Sequence, residues 1–109
     1  MWKTVAAITK KHHVLVRVVL DNGTALDWSP WFTLPSDSYG EVKGFGPFSL
    51  ENLRMLLINP VEVIREGQRI PAKQIDHTQA LAAELAEHGV QFERTNGFIA
   101  VPAALSHTP

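Results

Sequence analysis

The residues of this 109-residue chain that could do chemistry are five histidines, a few serines and eleven carboxylates, with no cysteine among them. His12 and His13 are adjacent, so in an extended segment they point to opposite faces. His77 and His88 are eleven apart, which on a helix puts them on one face but about 16 Å apart along the axis, too far for one metal ion. No H-x-x-x-H or H-E-x-x-H spacing occurs. The expectation is no metal site, with His12 and His13 as exposed corner residues and His88 as a last-turn residue that favours a helix dipole when charged. Ser29, Ser36, Ser38 and Ser49 fall in neither G-x-S-x-G nor S-x-x-K. The glycines of "YGEVKGFGPF" lack the lysine and hydroxyl residue that complete a phosphate loop, and predict a flexible loop instead. Glu84 and Glu87 predict a solvated helix face, with Glu84 paired to His88 four residues on. Without cysteine there is no disulfide, thiolate nucleophile or zinc–thiolate site. The expectation is therefore a chain that is not an enzyme and takes no cofactor.

Aromatic residues carry the strongest remaining signal. "LDWSPWFTLP" places two tryptophans and a phenylalanine within five residues, and Tyr39, Phe45 and Phe48 follow. Trp and Tyr are enriched at interaction hot spots. Trp31, Tyr39 and Phe45, with Asp37 and Glu41 beside them, are the predicted partner contacts.

Composition bounds what must position these residues. Hydrophobic residues make up 45% and charged residues 19%, with net charge −1, which fits one domain with one core. Lys3, Lys10, Lys11 and Arg17 precede the first acid, Asp21, but bulk charge argues against a nucleic-acid binder. The longest nearly apolar run, 14–20, is interrupted by Arg17 and falls far short of a membrane span. No signal-peptide-like apolar stretch opens the chain, so a cytoplasmic protein without membrane contact is expected.

Along the chain, residues 5–9 and 14–20 predict strands. Asp21-Asn22-Gly23 predicts a three-residue hairpin loop with Gly23 left-handed. That register pairs Leu20 with Thr24, Val18 with Leu26, Val16 with Trp28, and Arg17 with Asp27 on the opposite face, which puts Trp28 in the core. Pro30 ends the strand, and 31–47 is the longest irregular segment. "SLENLRMLL" predicts a short helix capped by Ser49, with Leu50, Leu53, Leu56 and Leu57 on one face. "VEVIREGQRIPA" predicts a tight hairpin at Glu66-Gly67 pairing Val63 with Ile70. "DHTQALAAELAEHG" predicts a helix capped by Asp76 and stopped at Gly89, with Leu81, Ala82 and Leu85 inward. "VQFERTNGFIAVP" predicts a hairpin through a type I′ turn at Asn96-Gly97, pairing Phe92 with Val101 and Glu93 with Ala100. The expected fold class is α+β, mostly antiparallel, built from three hairpins with two helices in the order β-β-β-α-β-β-α-β-β. Residues 1–105 form one domain and 106–109 a frayed tail.

"VLVRVVLDNGTALDWSPWF" and the later "REGQRIPAKQI" resemble a small bacterial family, the domain of unknown function two-four-four-two. Asp27, Ser29 and Pro30 match its Asp-Leu-Ser-Pro centre, with Trp28 in place of leucine, and Glu66-Gly67 stands at its later turn. The likeness covers residues 5–75 at most. It implies binding rather than catalysis, in the manner of small partners in toxin–antitoxin-type pairs. "LAAELAEHGVQFERTNGFIAVP" is also similar to the helix–hairpin ring-building motif of flagellar and secretion-ring proteins, as a shared supersecondary pattern.

The expected function is that of a small non-enzymatic interaction module, bacterial or phage in type, that binds and modulates another protein. Two alternatives stand beside it: a small-ligand-binding domain or minor enzyme with an aromatic-lined pocket, and a weak nucleic-acid binder through Lys3, Lys10, Lys11 and Arg17. A homodimer formed through hairpin edges stays open.

Overall fold

A computed structural model describes residues 1–103. The elements run α1 (Trp2–His12), β1 (Leu15–Leu20), β2 (Phe32–Thr33), β3 (Tyr39–Val42), β4 (Phe45–Ser49), a 3₁₀ turn (Leu50–Asn52), β5 (Leu53–Asn59), β6 (Val61–Ile64), β7 (Lys73–Asp76), α2 (Thr78–Glu87), β8 (Glu93–Thr95) and β9 (Phe98–Pro102). The class is α+β with two helices, and every strand pair is antiparallel. Three sheets form: β1-β5-β9-β8, β2-β3-β4, and the β6-β7 ribbon. The expected frayed tail lies outside the described residues.

The four-stranded sheet buries Val16, Val18, Leu56, Ile58, Ile99 and Val101 in one core with Val5 and Ile8 of α1 and Leu81 and Leu85 of α2. Strand alternation selects the sheet residues, and spacings of three and four select the helical ones. Phe32, Val42 and Phe48 extend the same core beneath the three-stranded sheet. Trp2 joins α1 to that sheet, edge-on to Phe32 with ring centroids 6.0 Å apart.

Several expectations are corrected. Residues 5–9 are helical, not a strand. Val5 and Ile8 share the buried face, and the Thr9 hydroxyl donates back to the Val5 and Ala6 carbonyls. Lys10, Lys11 and His12 occupy the last turn, where cations favour the dipole, and His13 closes the helix with φ 56. Residues 50–57 are not a helix. Ser49 does cap, accepting from the Glu51 N–H at 3.3 Å, but it caps a single 3₁₀ turn, and β5 follows. β5 is flanked by β1 and β9, so its run "LRMLLIN" is that of a central strand. The 61–76 hairpin is longer than expected. Val63 pairs with Gln74 and Ile64 with Lys73, so Ile70 lies in the loop rather than opposite Val63. Residues 31–47 are not irregular but supply most of the three-stranded sheet. Gly40 lets that sheet close, since a Cβ there would lie 2.9 Å from Phe48 and 3.1 Å from Phe32.

The β1 hairpin is half as expected. Leu20 donates to Thr24 at 2.8 Å, Gly23 has φ 86, Val19 bridges Ala25, and the Leu26 N–H reaches the Val18 carbonyl at 2.9 Å. Then the register slips by one residue. Val16 exchanges both backbone hydrogen bonds with Ser29, at 2.9 and 2.7 Å, not with Trp28. Ser29 takes the buried position, and Trp28 turns half-buried onto the other face of the sheet. There it stacks on Phe98 at 5.1 Å, with the Arg17 guanidinium 5.8 Å from its ring. Arg17 does not pair with Asp27; its Nε donates to the Leu26 carbonyl at 2.6 Å.

The C-terminal part follows expectation more closely. Leu81, Ala82 and Leu85 are buried, Gly89 is left-handed, and Glu93 pairs with Ala100 across Asn96 (φ 51) and Gly97 (φ 82). Asp76 accepts from the Thr78 N–H at 2.9 Å, although His77 is the residue that borders the helix.

Candidate functional site

Two places gather functional side chains. The first is the three-stranded sheet with its flanking and connecting residues, which together carry every predicted contact. Alternation along β3 turns Gly40 and Val42 inward and Tyr39 and Glu41 outward, and Thr33 of β2 lies opposite Glu41. Trp31 stands one residue before β2, and Phe45 opens β4 opposite Val42. Trp31, Tyr39 and Phe45 are all exposed large side chains. Asp37 lies in the β2–β3 connection, 3.3 Å from Lys3 Nζ, with both side chains in solvent, where such a pair adds little stability.

Ser29 anchors this region. Its hydroxyl donates to the Trp31 carbonyl at 2.6 Å and accepts from the N–H of Trp31 at 3.2 Å and of Lys43 at 3.0 Å. One buried oxygen thus fixes the start of β2 and the β3–β4 turn to the edge of β1. A hydroxyl so fully engaged has a structural role, not that of a nucleophile.

The second place was not foreseen from spacing. His12, at the end of α1, is not an exposed corner residue. Its Nδ1 lies 3.2 Å from Nδ1 of His77, just before α2, and its Nε2 lies 2.8 Å from Glu84 Oε1. His77 Nε2 lies 2.8 Å from Glu62 Oε1 on β6. Lys11 Nζ reaches the same Glu84 oxygen at 2.9 Å. The result is a half-buried chain, Glu62–His77–His12–Glu84, that ends at the exposed Lys11. Glu84 therefore faces α1 rather than pairing with the side chain of His88. Among the described residues no group of three or more His, Cys, Asp or Glu is placed to hold a metal ion.

Lys11 and His12, in that order, hold the Glu84 carboxyl below the ordinary glutamate value of 4.5. Asp76 is likewise held low, by the Thr78 hydroxyl and N–H. A carboxyl lowered by folding adds stability that is fully present above its unfolded value and is lost as pH falls through the folded one. Stability is expected to fall with acid below about pH 4.5, and Glu84→Gln to flatten that acid limb. Urea titrations from pH 5 down to 2.5 measure it, and parallel limbs in the two proteins would contradict the assignment.

The other sequence candidates do not converge. Lys3 faces Asp37, Lys11 faces Glu84, and Arg17 lies against Trp28, so three of the four basic residues each meet a different neighbour. A concavity of about 500 Å³ is lined by Val90, Gln91, Phe92, Glu93 and Pro102, not by Trp31 or Tyr39. No helix among the described residues is long and apolar enough to cross a membrane. Comparison with protein-family models, curated proteins and solved structures finds no match to this chain.

Proposed function

We propose that the chain is a non-enzymatic interaction module of bacterial or phage type, which binds and modulates another protein through the outer face of the three-stranded sheet. The observation that carries this reading is the exposure of Trp31 and Tyr39, at 39% and 48%, beside and on one small sheet, with Phe45, also exposed, at its rim opposite Val42. A rigid strand scaffold presents such side chains at low ordering cost, and aromatics of this kind form hot spots when a partner desolvates them. Asp37 and Glu41 beside them suit a partner with an apolar centre and basic groups at its rim.

Trp31→Ala and Tyr39→Ala are each expected to weaken partner binding at least about tenfold, with folding intact. Asp37→Asn and Glu41→Gln mainly slow association and reduce its salt dependence. Quantitative pull-down from the source cells, followed by titration of the recovered partner, measures both. A partner whose affinity ignores Trp31→Ala and Tyr39→Ala would remove this face from the proposal.

A further inference from the structure

We propose that the His12–His77 pair is a one-proton site: the two rings together bind a single extra proton, and the junction of α1, β6 and α2 is closed while they hold it. The inference follows from hydrogen-bond bookkeeping. A carboxylate only accepts hydrogen bonds. Glu84 and Glu62 each sit 2.8 Å from an Nε2, so both Nε2 atoms carry a proton. The Nδ1 atoms lie 3.2 Å apart, a hydrogen bond only if one is N–H and the other a lone pair. The three contacts need three protons, whereas two neutral rings carry two. The pair therefore holds one more, which belongs to the pair and not to either ring.

The surroundings favour that charge. Against the rings stand Glu84 from α2 and Glu62 from β6; Lys11 of α1 shares Glu84, and Asp76 of β7, bonded to Thr78, acts on His77 through space, as Arg94 of β8 acts on Asp76. Two carboxylates thus contact the pair, and the charge of a third acts on His77 through space. A fourth proton would set two N–H groups face to face, and loss of the third would set two lone pairs face to face. Either change opens the central contact. Two ring nitrogens with no third ligand among the described residues favour a proton over a metal ion in the gap.

The pH dependence has a definite sign. In the unfolded chain each histidine titrates near about 6.5. Below that pH the unfolded pair binds more than one proton against one in the folded pair, so stability rises with pH. Above it the unfolded pair binds less than one, so stability falls with pH. The pair's contribution peaks near about pH 6.5, and on either side the unfolding constant approaches a tenfold change per pH unit.

The test compares urea unfolding from pH 5 to 8 for the full chain, His12→Gln, His77→Gln and the double variant, together with nitrogen NMR of the wild-type imidazoles. The expected results are a peak near pH 6.5 in the difference between wild type and double variant, and no peak in either single variant. The spectra should show two protonated Nε2 atoms and one proton shared between the Nδ1 atoms. Should the variants fail to fold, the wild-type spectra decide alone. Rings that titrate independently, wild-type and double-variant curves that run parallel, or stoichiometric low-micromolar zinc binding that needs both rings would each overturn the proposal.

Discussion

Leu56→Ala is expected to lower the free energy of unfolding by about 2–5 kcal/mol, and Leu57→Ala by about 1 kcal/mol. The two leucines are neighbours of identical chemistry, so the contrast isolates geometry. On a helix both belong to one apolar stripe with Leu53, and both substitutions would be costly. On β5 they point to opposite faces. Leu56 is fully buried between Val18 and Val101, among the helix-facing core residues. Leu57 is half-buried on the far face between Arg17 and Ala100. Truncating Leu56 leaves a cavity among residues that cannot relax freely, whereas truncating Leu57 trims a surface already partly wet. Urea unfolding measures both, and equal costs would argue for the helical alternative.

Ser29→Ala is expected to cost about 1–3 kcal/mol, far more than an ordinary serine truncation. The hydroxyl is fully buried and serves two backbone donors and one backbone acceptor. A methyl group leaves those groups to find water in a partly buried site. Ser36→Ala, in an exposed turn, is the matched control and should stay within about 0.5 kcal/mol. The same substitution bears on function, because it frees Trp31 without removing its side chain. Partner affinity should fall in Ser29→Ala and hold in Ser36→Ala. Equal stabilities of the two variants would contradict the anchoring role.

What the sequence makes legible is set by how local the causes are. The Asn96-Gly97 turn and the end of α2 at Gly89 are readable because left-handed backbone needs those residues at those positions. The leucines of β5 are ambiguous because a buried strand and a buried helix both read as a continuous apolar run. α1 resembles a strand because Val5, Ile8 and Thr9 are β-branched, although the spacing of Val5 and Ile8 with basic residues at 10–12 is a helical signal. Trp28 is assigned to the core by a register that holds from Leu20 to Val18 and then slips. Nothing local announces the slip, which is fixed by the hydroxyl of Ser29 reaching across to Lys43. The predicted contacts Trp31, Tyr39 and Phe45 are exposed, but Tyr39 and Phe45 lie on strands and Trp31 directly precedes one, rather than all three lying in a loop. The histidine pair leaves no local trace, since His12 and His77 are 65 positions apart. It depends on the β6–β7 register, which sets Val61 opposite Asp76 and so brings Glu62 near His77, and which differs from the one expected for the shorter hairpin.

Site-specific photocrosslinking tests the outer face of the three-stranded sheet most directly. A benzophenone side chain replaces Tyr39 or Thr33 on that face, and Ile70 or Gln79 on surfaces outside it, and each protein is irradiated in the source cells. The expected result is an adduct of one common mass from positions 39 and 33, suppressed by Trp31→Ala, with none from 70 and 79. Adducts confined to positions 70 and 79, or none from 39 and 33, would contradict it.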